Sequence, residues 1–117
     1  MELLELWTRH PEHTADIYKI ENNSIWIGNV ERLRLRGYAM EILPKLRFHE
    51  ENVMGELSLS ARKTKHLTGI LKIERNSICV GKVKKIDLED YAAGILPKLK
   101  LHRENEMEEL FFEDIQP

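Results

Sequence analysis

Alternating and β-branched runs near the start of the chain predict a group of short strands. The runs Ile17–Glu21 and Ile25–Val30 are rich in isoleucine and flank the tripeptide Asn-Asn-Ser. Asparagine tolerates positive φ and its side chain bonds nearby backbone, so this pattern predicts a β-hairpin. The next run, Arg32–Arg36, alternates strictly, which predicts a third strand with Leu33 and Leu35 facing a core and the arginines facing water.

A helix and two further strands are predicted next. Tyr38, Ala39, Ile42 and Leu43 fall on one face of a helix, and Pro44 would end that helix after about two turns. After the proline the residues alternate again (LRFH), a polar segment (EEN) favours a turn, and an apolar stretch predicts a last strand. The unit is therefore predicted to be ββ(β)αβ(β), which makes the protein α+β.

The same order of elements occurs twice because the chain contains an internal duplication. A shift of 53 residues aligns Ile17–Leu59 with Ile70–Phe112 without a gap, and 23 of the 43 aligned positions are identical. Units of about 43 residues rarely bury enough surface to fold alone. We therefore expect repeat one (17–59) and repeat two (70–112) to pack as a pseudo-twofold fused dimer within one compact domain, 1–117.

Segments outside the two repeats are expected to be peripheral. Residues 1–16 are interpreted as an N-terminal extension, and residues 60–69 (SARKTKHLTG) as a polar, basic connector on the surface. In repeat two, Asp90 is placed to cap the helix, and Gly37 would cap the first helix more weakly. Two alternatives stay open for the tail Glu104–Ile115, because its apolar residues have helical spacing whereas its duplicate predicts a strand.

Composition predicts a folded, soluble chain. The 42% hydrophobic fraction is too high and the net charge of −2 too small for disorder, and no apolar run approaches the roughly 20 residues needed to cross a bilayer. Acidic residues stand where a signal peptide carries basic ones, which predicts a cytoplasmic protein without membrane contact. A single cysteine excludes an intramolecular disulfide and a multi-cysteine zinc site. Glutamate outnumbers aspartate 16 to 4 and glutamine occurs once, a bias typical of thermophile surfaces.

Charge is segregated along the chain. Eight basic residues and one acid lie from Arg62 to Lys85, whereas Glu104–Asp114 holds six acids and no base. A chain with its charges separated in this way could bind phosphates with its basic side. Alternatively, the acidic tail could cover the basic side. The third alternative is that both segments belong to a mixed, solvated surface. We interpret the chain as a non-catalytic binding module. The residues predicted to contact nucleic acid are Arg32, Arg34, Arg36, Arg62, Lys63 and Lys65.

A polar His-x-Glu-Asn element occurs in both copies and carries a competing hypothesis. Its residues are His49, Glu51 and Asn52 in repeat one, and His102, Glu104 and Asn105 in repeat two. A duplicated His–Glu pair could supply a general base, or two metal half-sites, to a small hydrolase. The structural interpretation is a turn in which Asn sets the backbone and His caps a strand end. No glycine-rich phosphate loop, Gly-x-Ser-x-Gly or His-Glu-x-x-His motif is present, so no catalytic residue, metal or cofactor is predicted.

Further expectations concern a histidine pair, the single cysteine, the partner and the oligomeric state. The pair His10 and His13 has a spacing that chelates zinc on a helix, but the intervening Pro11 weighs against that geometry. Cys79 is aligned with Trp26 of repeat one, and a position that accepts either residue is explained by packing and not by nucleophilic chemistry. The partner is expected to be a protein or a nucleic acid. A structural subunit that forms homo-oligomers through exposed sheet edges is a third alternative.

Overall fold

The strands that the structure describes pair in parallel with one another. The structure is a computed structural model that describes residues 1–10, 12, 16–17 and 19–113, and each strand pairing within it is parallel. Eight strands are present in the described part: β1 (Leu3–Thr8), β2 (Ile25–Gly28), β3 (Arg32–Gly37), β4 (Leu46–Phe48), β5 (Val53–Ala61), β6 (Ile78–Asp90), β7 (Leu99–Leu101) and β8 (Glu109–Glu113).

In the main sheet each new strand lies next to a sheet strand that precedes it along the chain. Strands β1, β3, β5 and β6 lie side by side in this order, β8 pairs with the second half of β6, and β7 pairs with its first residues. Strands β2 and β4 form a separate two-stranded sheet. The chain therefore winds in coils, each of which returns to the main sheet beside the strand that it left and in the same direction.

The crossovers between these strands contain 3-10 helices. After β3 and after β6, the chain passes through a 3-10 helix, a three-residue strand and a turn before the next sheet strand begins. The helices are Tyr38–Lys45, Thr64–Leu67, Ile70–Lys72 and Tyr91–Lys98. Strands with a few helices make a compact α+β-like domain, in agreement with the predicted class, with a radius of gyration of 13.2 Å.

Apolar side chains in register form the core. Leu33 of β3 is aligned with Leu57 of β5, which is aligned with Ile86 of β6, and the next inward row repeats this arrangement. The six fully buried members of the two rows are Leu33, Leu57, Ile86, Leu35, Leu59 and Leu88. Burial of each such side chain contributes about 1.5–3 kcal/mol. The inward positions that the alternating pattern predicted in β3 are confirmed.

The predicted hairpin is wrong. Strand β2 pairs in parallel with β4, and the described residues of Ile17–Glu21 contain no strand. The N–H of Ile20 donates to the carbonyl of Ile17 at 3.0 Å, a 3-10-type bond that turns the chain. Asn23 does adopt a positive φ of 60°. The physical reason for the error is that this turn chemistry serves a corner between coils as well as it serves a hairpin.

The predicted two-turn helix is a 3-10 helix that begins at Tyr38 and contains Pro44. Its residues are buried on more than one side, so packing between layers, and not one amphipathic face, sets its geometry. Asp90 does not cap the second helix through its side chain. Its φ of 56° differs from the extended conformation of an N-cap residue, and Gly37 at 64° is equally unsuited.

The segments expected to be peripheral belong to the fold. The N-terminal extension supplies β1, an edge strand of the main sheet. The connector supplies the end of β5 and a 3-10 helix in which His66 and Leu67 are buried. In the tail, residues 109–113 form β8, so the strand alternative is correct there, whereas Ile115 lies outside the described residues.

The pseudo-twofold arrangement is not confirmed by the order of the strands. Strands β3 and β6 contain residues 53 positions apart, run parallel in one sheet and flank β5. Both direct the same face inward, as the burial of Leu33 and Ile86 shows. A twofold axis would reverse either the strand direction or the buried face, so a shift along the sheet relates these strands.

Candidate functional site

The carboxyl ends of four parallel strands surround a cleft of about 450 Å³. Thr8 ends β1, Gly37 ends β3, and Glu89 lies next to the end of β6, while β5 ends at Ala61 just before Arg62. A Cβ atom on Gly37 would lie 2.5 Å from the carbonyl oxygen of Thr8, so the two strand ends are in close contact there. Parallel strands end at one edge of their sheet, which brings side chains from distant parts of the sequence together.

Five basic side chains line this cleft. Four of them, Arg36, Arg62, Lys63 and Lys65, belong to the set predicted from the sequence. The fifth, Arg9, follows β1 and was not predicted. We call these five residues with Trp7 the basic cleft. A signal for Arg9 exists in the sequence, because it stands 53 residues before Arg62.

The two remaining predicted arginines lie outside the cleft. Arg34 is 3.7 Å from a carboxylate oxygen of Glu5 on one side and 3.7 Å from one of Glu56 on the other. Arg32 is aligned with Glu56 across the sheet, and Glu56 is aligned with Lys85. Opposite charges placed side by side on neighbouring strands compensate one another. The arginine stripe of β3 is thus basic only at its carboxyl end.

Aromatic side chains accompany the cations of the cleft. Trp7 is 59% exposed, and the guanidinium carbon of Arg9 lies 4.8 Å from the centre of its ring. Tyr38 is buried in the cleft wall, with its ring edge-on to that of His66 at a centroid distance of 4.6 Å. Trp7 therefore exposes a broad apolar ring to solvent beside the positive charge of Arg9.

The positive charges of the cleft affect the pKa of His66. The residue is 9% exposed, and within the described part of the chain its Nδ1 atom has no hydrogen-bond partner. Burial lowers the pKa of His66 below its ordinary value of 6.5, and the charges of Lys63 and Lys65 lower it further. These effects favour the neutral form of His66, and an anion that compensates the two lysines would raise its pKa.

Three carboxylates lie close together beside the cleft, and only Glu89 of the three lines it. Burial raises the pKa of Glu89, and the charges of Glu113 and Asp87 add to this effect, while Arg36 and a hydrogen bond from Ser60 oppose it. Within the described part of the chain, Asp87, Glu89 and Glu113 are the group of three side chains whose ligand atoms all lie within 4.8 Å of one another. Carboxylates of this kind suit a hard divalent cation, but acidic groups are common without one.

The His-x-Glu-Asn element forms hydrogen-bonded turns. The Nδ1 atom of His49 accepts a hydrogen bond from the N–H of Glu51 at 3.1 Å, and Asn52 N–H donates to the carbonyl of His49 at 2.9 Å. The Oδ1 atom of Asn52 accepts from the N–H of Val30 at 2.9 Å, which links the turn to the start of the preceding sheet strand.

The second copy of the element makes the same bonds. Nδ1 of His102 accepts from the N–H of Glu104 at 3.0 Å, and Oδ1 of Asn105 accepts from the N–H of Val83 at 2.6 Å. Among the described residues, neither histidine belongs to a group of three candidate metal ligands. These contacts favour the turn interpretation, since Nδ1 of each histidine is already engaged with backbone.

The other sequence candidates do not join the cleft. His10 Nδ1 lies 3.4 Å from a carboxylate oxygen of Glu12, whereas His13 is outside the described residues. Cys79 is an exposed residue of β6. The acidic tail pairs with β6 on the side away from β5, and no residue of 104–113 lines the cleft.

Comparison of the chain with protein-family models, with curated protein sequences and with solved structures found no match. No helix among the described residues is long and apolar enough to cross a membrane. The fold and the site therefore define the class of protein only as a small α+β-like domain with a largely parallel sheet and a basic cleft at the carboxyl ends of its strands.

Proposed function

We propose that this protein is a non-catalytic binding module that takes single-stranded nucleic acid in its basic cleft. The observation that carries the proposal is the assembly of five cationic side chains and one exposed indole around a single cleft. Cations would contact the phosphates, and the indole would stack on a base. Proteins that bind single strands combine a positively charged groove with such stacking surfaces.

The balance of charge in the cleft supports an anionic ligand. Glu89 is the one carboxylate among the described lining residues, and it faces Arg9, Arg36, Arg62 and two lysines. A single strand is favoured over a duplex because Trp7 presents its ring in the open, and a base can reach it only when it is unpaired.

We also infer that the duplicated segments are tandem repeats, and that their divergence gave the two halves of the site different charges. Arg9 and Arg62 occupy equivalent positions 53 residues apart, but the position of Arg36 is occupied by Glu89 in the second copy. One copy therefore supplies a cation where the other supplies a carboxylate. The cleft combines residues from both, which makes the proposed site asymmetric.

The test is fluorescence anisotropy of a labelled single-stranded oligonucleotide, titrated at several salt concentrations. We expect affinity to fall steeply with salt for the wild-type protein. The variants Arg62→Ala and Lys63→Ala should each weaken binding and reduce the slope of log K against log salt by about 0.7 per lost phosphate contact. Arg32→Ala is the matched control, because it removes the same charge from the sheet outside the cleft.

Two further readouts separate stacking from charge. Trp7→Ala should weaken binding by about 1–3 kcal/mol per stacked base, roughly 5- to 150-fold, with the salt slope unchanged. Bound phosphate should raise the pKa of His66, because it compensates the lysines that lower it, and an NMR titration of the ring measures this. Absence of binding at low salt, or equal losses in Arg62→Ala and Arg32→Ala, would refute the proposal.

A further inference from the structure

The last strand of the main sheet presents apolar side chains at an open edge. Leu110, Phe111 and Phe112 of β8 are 42%, 44% and 48% exposed. Among the described strands, β8 pairs with β6 alone. Terminal coils of stacked parallel folds normally carry a polar outer face, and an open edge with large apolar residues is a template for another strand.

The first strand presents a matching edge at the opposite end of the sheet. Strand β1 pairs with β3 alone among the described strands. Its inward residues, Leu4 and Leu6, are only partly buried and extend the core rows of β3. Trp7 and Leu3, on the other face, are 59% and 39% exposed.

We infer that β1 of a second copy of this chain adds to the open edge of β8 in parallel, so that molecules assemble head to tail. The register follows from the ladder within one molecule. Glu109 is aligned with Lys85, and Leu3 with Arg32, so the pairing that continues the rows sets Leu4 beside Leu110 and Leu6 beside Phe112. Both apolar rows then run on without interruption.

The charges of the two ends are complementary. The β1 end is basic at the carboxyl end of β3, where Arg36 is aligned with Trp7 of β1 and Ser60 of β5 and so has no carboxylate beside it in the ladder. At the other end, β8 and the part of β6 paired with it, Lys85–Glu89, carry four carboxylates and one lysine. Opposite charge favours the approach of unlike ends and disfavours the pairing of two β8 edges. For this reason a second copy in the head-to-tail orientation is the occupant that we assign.

Backbone hydrogen bonds identify the amide groups that such an assembly needs. The N–H of Arg32 donates to the carbonyl of Glu2, and the N–H of Glu108 donates to the carbonyl of Lys84. In a parallel ladder alternate residues direct their backbone groups to opposite neighbours, and each residue bonds to the two that flank its aligned partner. The even-numbered residues of β6, which include Lys84, face β8, so the odd-numbered residues of β8 bond to β6 and the N–H groups of Leu110 and Phe112 face the open edge. On β1 the N–H of Glu5 faces the open edge. Proline at any of these positions removes an edge donor and leaves the internal pairing intact.

The experiment is sedimentation velocity of the full chain from micromolar to millimolar concentration. We expect the wild-type sedimentation coefficient to rise with concentration without reaching a plateau, because a head-to-tail contact does not close. Glu5→Pro and Leu110→Pro should each remain monomeric alone. Mixed in equal amounts, they should form a one-to-one dimer and nothing larger, because each retains the edge that the other lacks.

Glu5→Ala and Leu110→Ala keep the edge amides and should still associate, and circular dichroism verifies the folding of every variant. If proline at either position impairs folding, Leu3→Pro and Phe112→Pro block the same two edges through another open-edge amide. A wild-type protein that stays monomeric would overturn the inference. Association that Leu110→Pro abolishes but Glu5→Pro does not would also overturn it, because that result indicates pairing of two β8 edges.

Discussion

Gly37 and Asp90 adopt nearly the same unusual backbone conformation at the ends of β3 and β6. Gly37 has φ 64° and ψ −139°, and Asp90 has φ 56° and ψ −132°. This is the conformation of the first central residue of a type II′ turn, a position that strongly prefers glycine. Gly37 is the preferred residue in this conformation, whereas Asp90 is strained by it. Asp90→Gly and Gly37→Ala should therefore change the free energy of unfolding in opposite directions.

The magnitude at Asp90 follows from two terms. A residue with a side chain held in a sparsely populated backbone region costs about 1–3 kcal/mol. Glycine removes this strain but increases the entropy of the unfolded chain, which offsets about 0.5–1 kcal/mol. Asp90→Gly should therefore stabilise the fold by about 1 kcal/mol, which corresponds to a rise in Tm of about 4 °C for a domain of this size.

The reverse change at Gly37 should be strongly destabilising. Its Cβ would lie 2.5 Å from the carbonyl oxygen of Thr8, which is backbone and cannot move aside like a flexible side chain. Strain and overpacking then add, and Gly37→Ala should lose about 3 kcal/mol or more. Urea unfolding followed by circular dichroism measures both changes through the midpoint, provided that the slope m is constant.

Asp90→Ala separates backbone strain from charge. Asp90 directly follows Glu89 in the sequence, so removal of its charge alone could stabilise the fold. Alanine removes the charge and keeps the Cβ that causes the strain. If Asp90→Ala were as stable as Asp90→Gly, electrostatic repulsion and not backbone geometry would explain the gain, and the strain argument would fail.

The remaining predictions concern two buried polar groups. Asn52→Ala should cost about 1–3 kcal/mol in urea unfolding because it leaves the N–H of Val30 without an acceptor, and Asn105→Ala should cost less because its site is only partly buried. The lowered pKa of His66 means that the unfolded chain binds more protons there than the folded chain, so stability should fall as pH drops below about 6.5. The difference in unfolding free energy between wild type and His66→Gln, measured between pH 8 and 5, should shrink toward acid, and parallel curves would contradict this.

The positions of most strands could be predicted from the sequence, but their pairing could not. Strict alternation in Arg32–Arg36 identified Leu33 and Leu35 as core residues, and both are fully buried. The Asn at positive φ is compatible with a hairpin and with a corner between coils, so local turn chemistry left the direction of the next strand undetermined. The spacing of the core residues reflects the parallel order of the strands. Leu33, Leu57 and Ile86, which are aligned on neighbouring strands, are separated by 24 and 29 residues, and the two intervals add up to the 53-residue offset of the duplication.

The candidate site was partly predictable for the same reason. Arg36, Arg62, Lys63 and Lys65 were found by their charge alone. The contribution of Arg9, and the exclusion of Arg32 and Arg34, required the strand order, because it alone determines which charges lie beside each other across the sheet. Sequence charge therefore indicates how basic a chain segment is, and the register of neighbouring strands determines which of those charges stay uncompensated.

The duplicated His-x-Glu-Asn element shows how hydrogen bonding can explain retained residues without catalysis. The histidine accepts a bond through Nδ1 and the asparagine accepts one through Oδ1, so both side chains are required by the turn. The glutamate contributes only its backbone N–H to these bonds, and Glu51 is exposed. A hydrolase would need the carboxylate that the turn does not need. Glu51→Ala should consequently leave stability within about 0.5 kcal/mol of wild type, in contrast with Asn52→Ala.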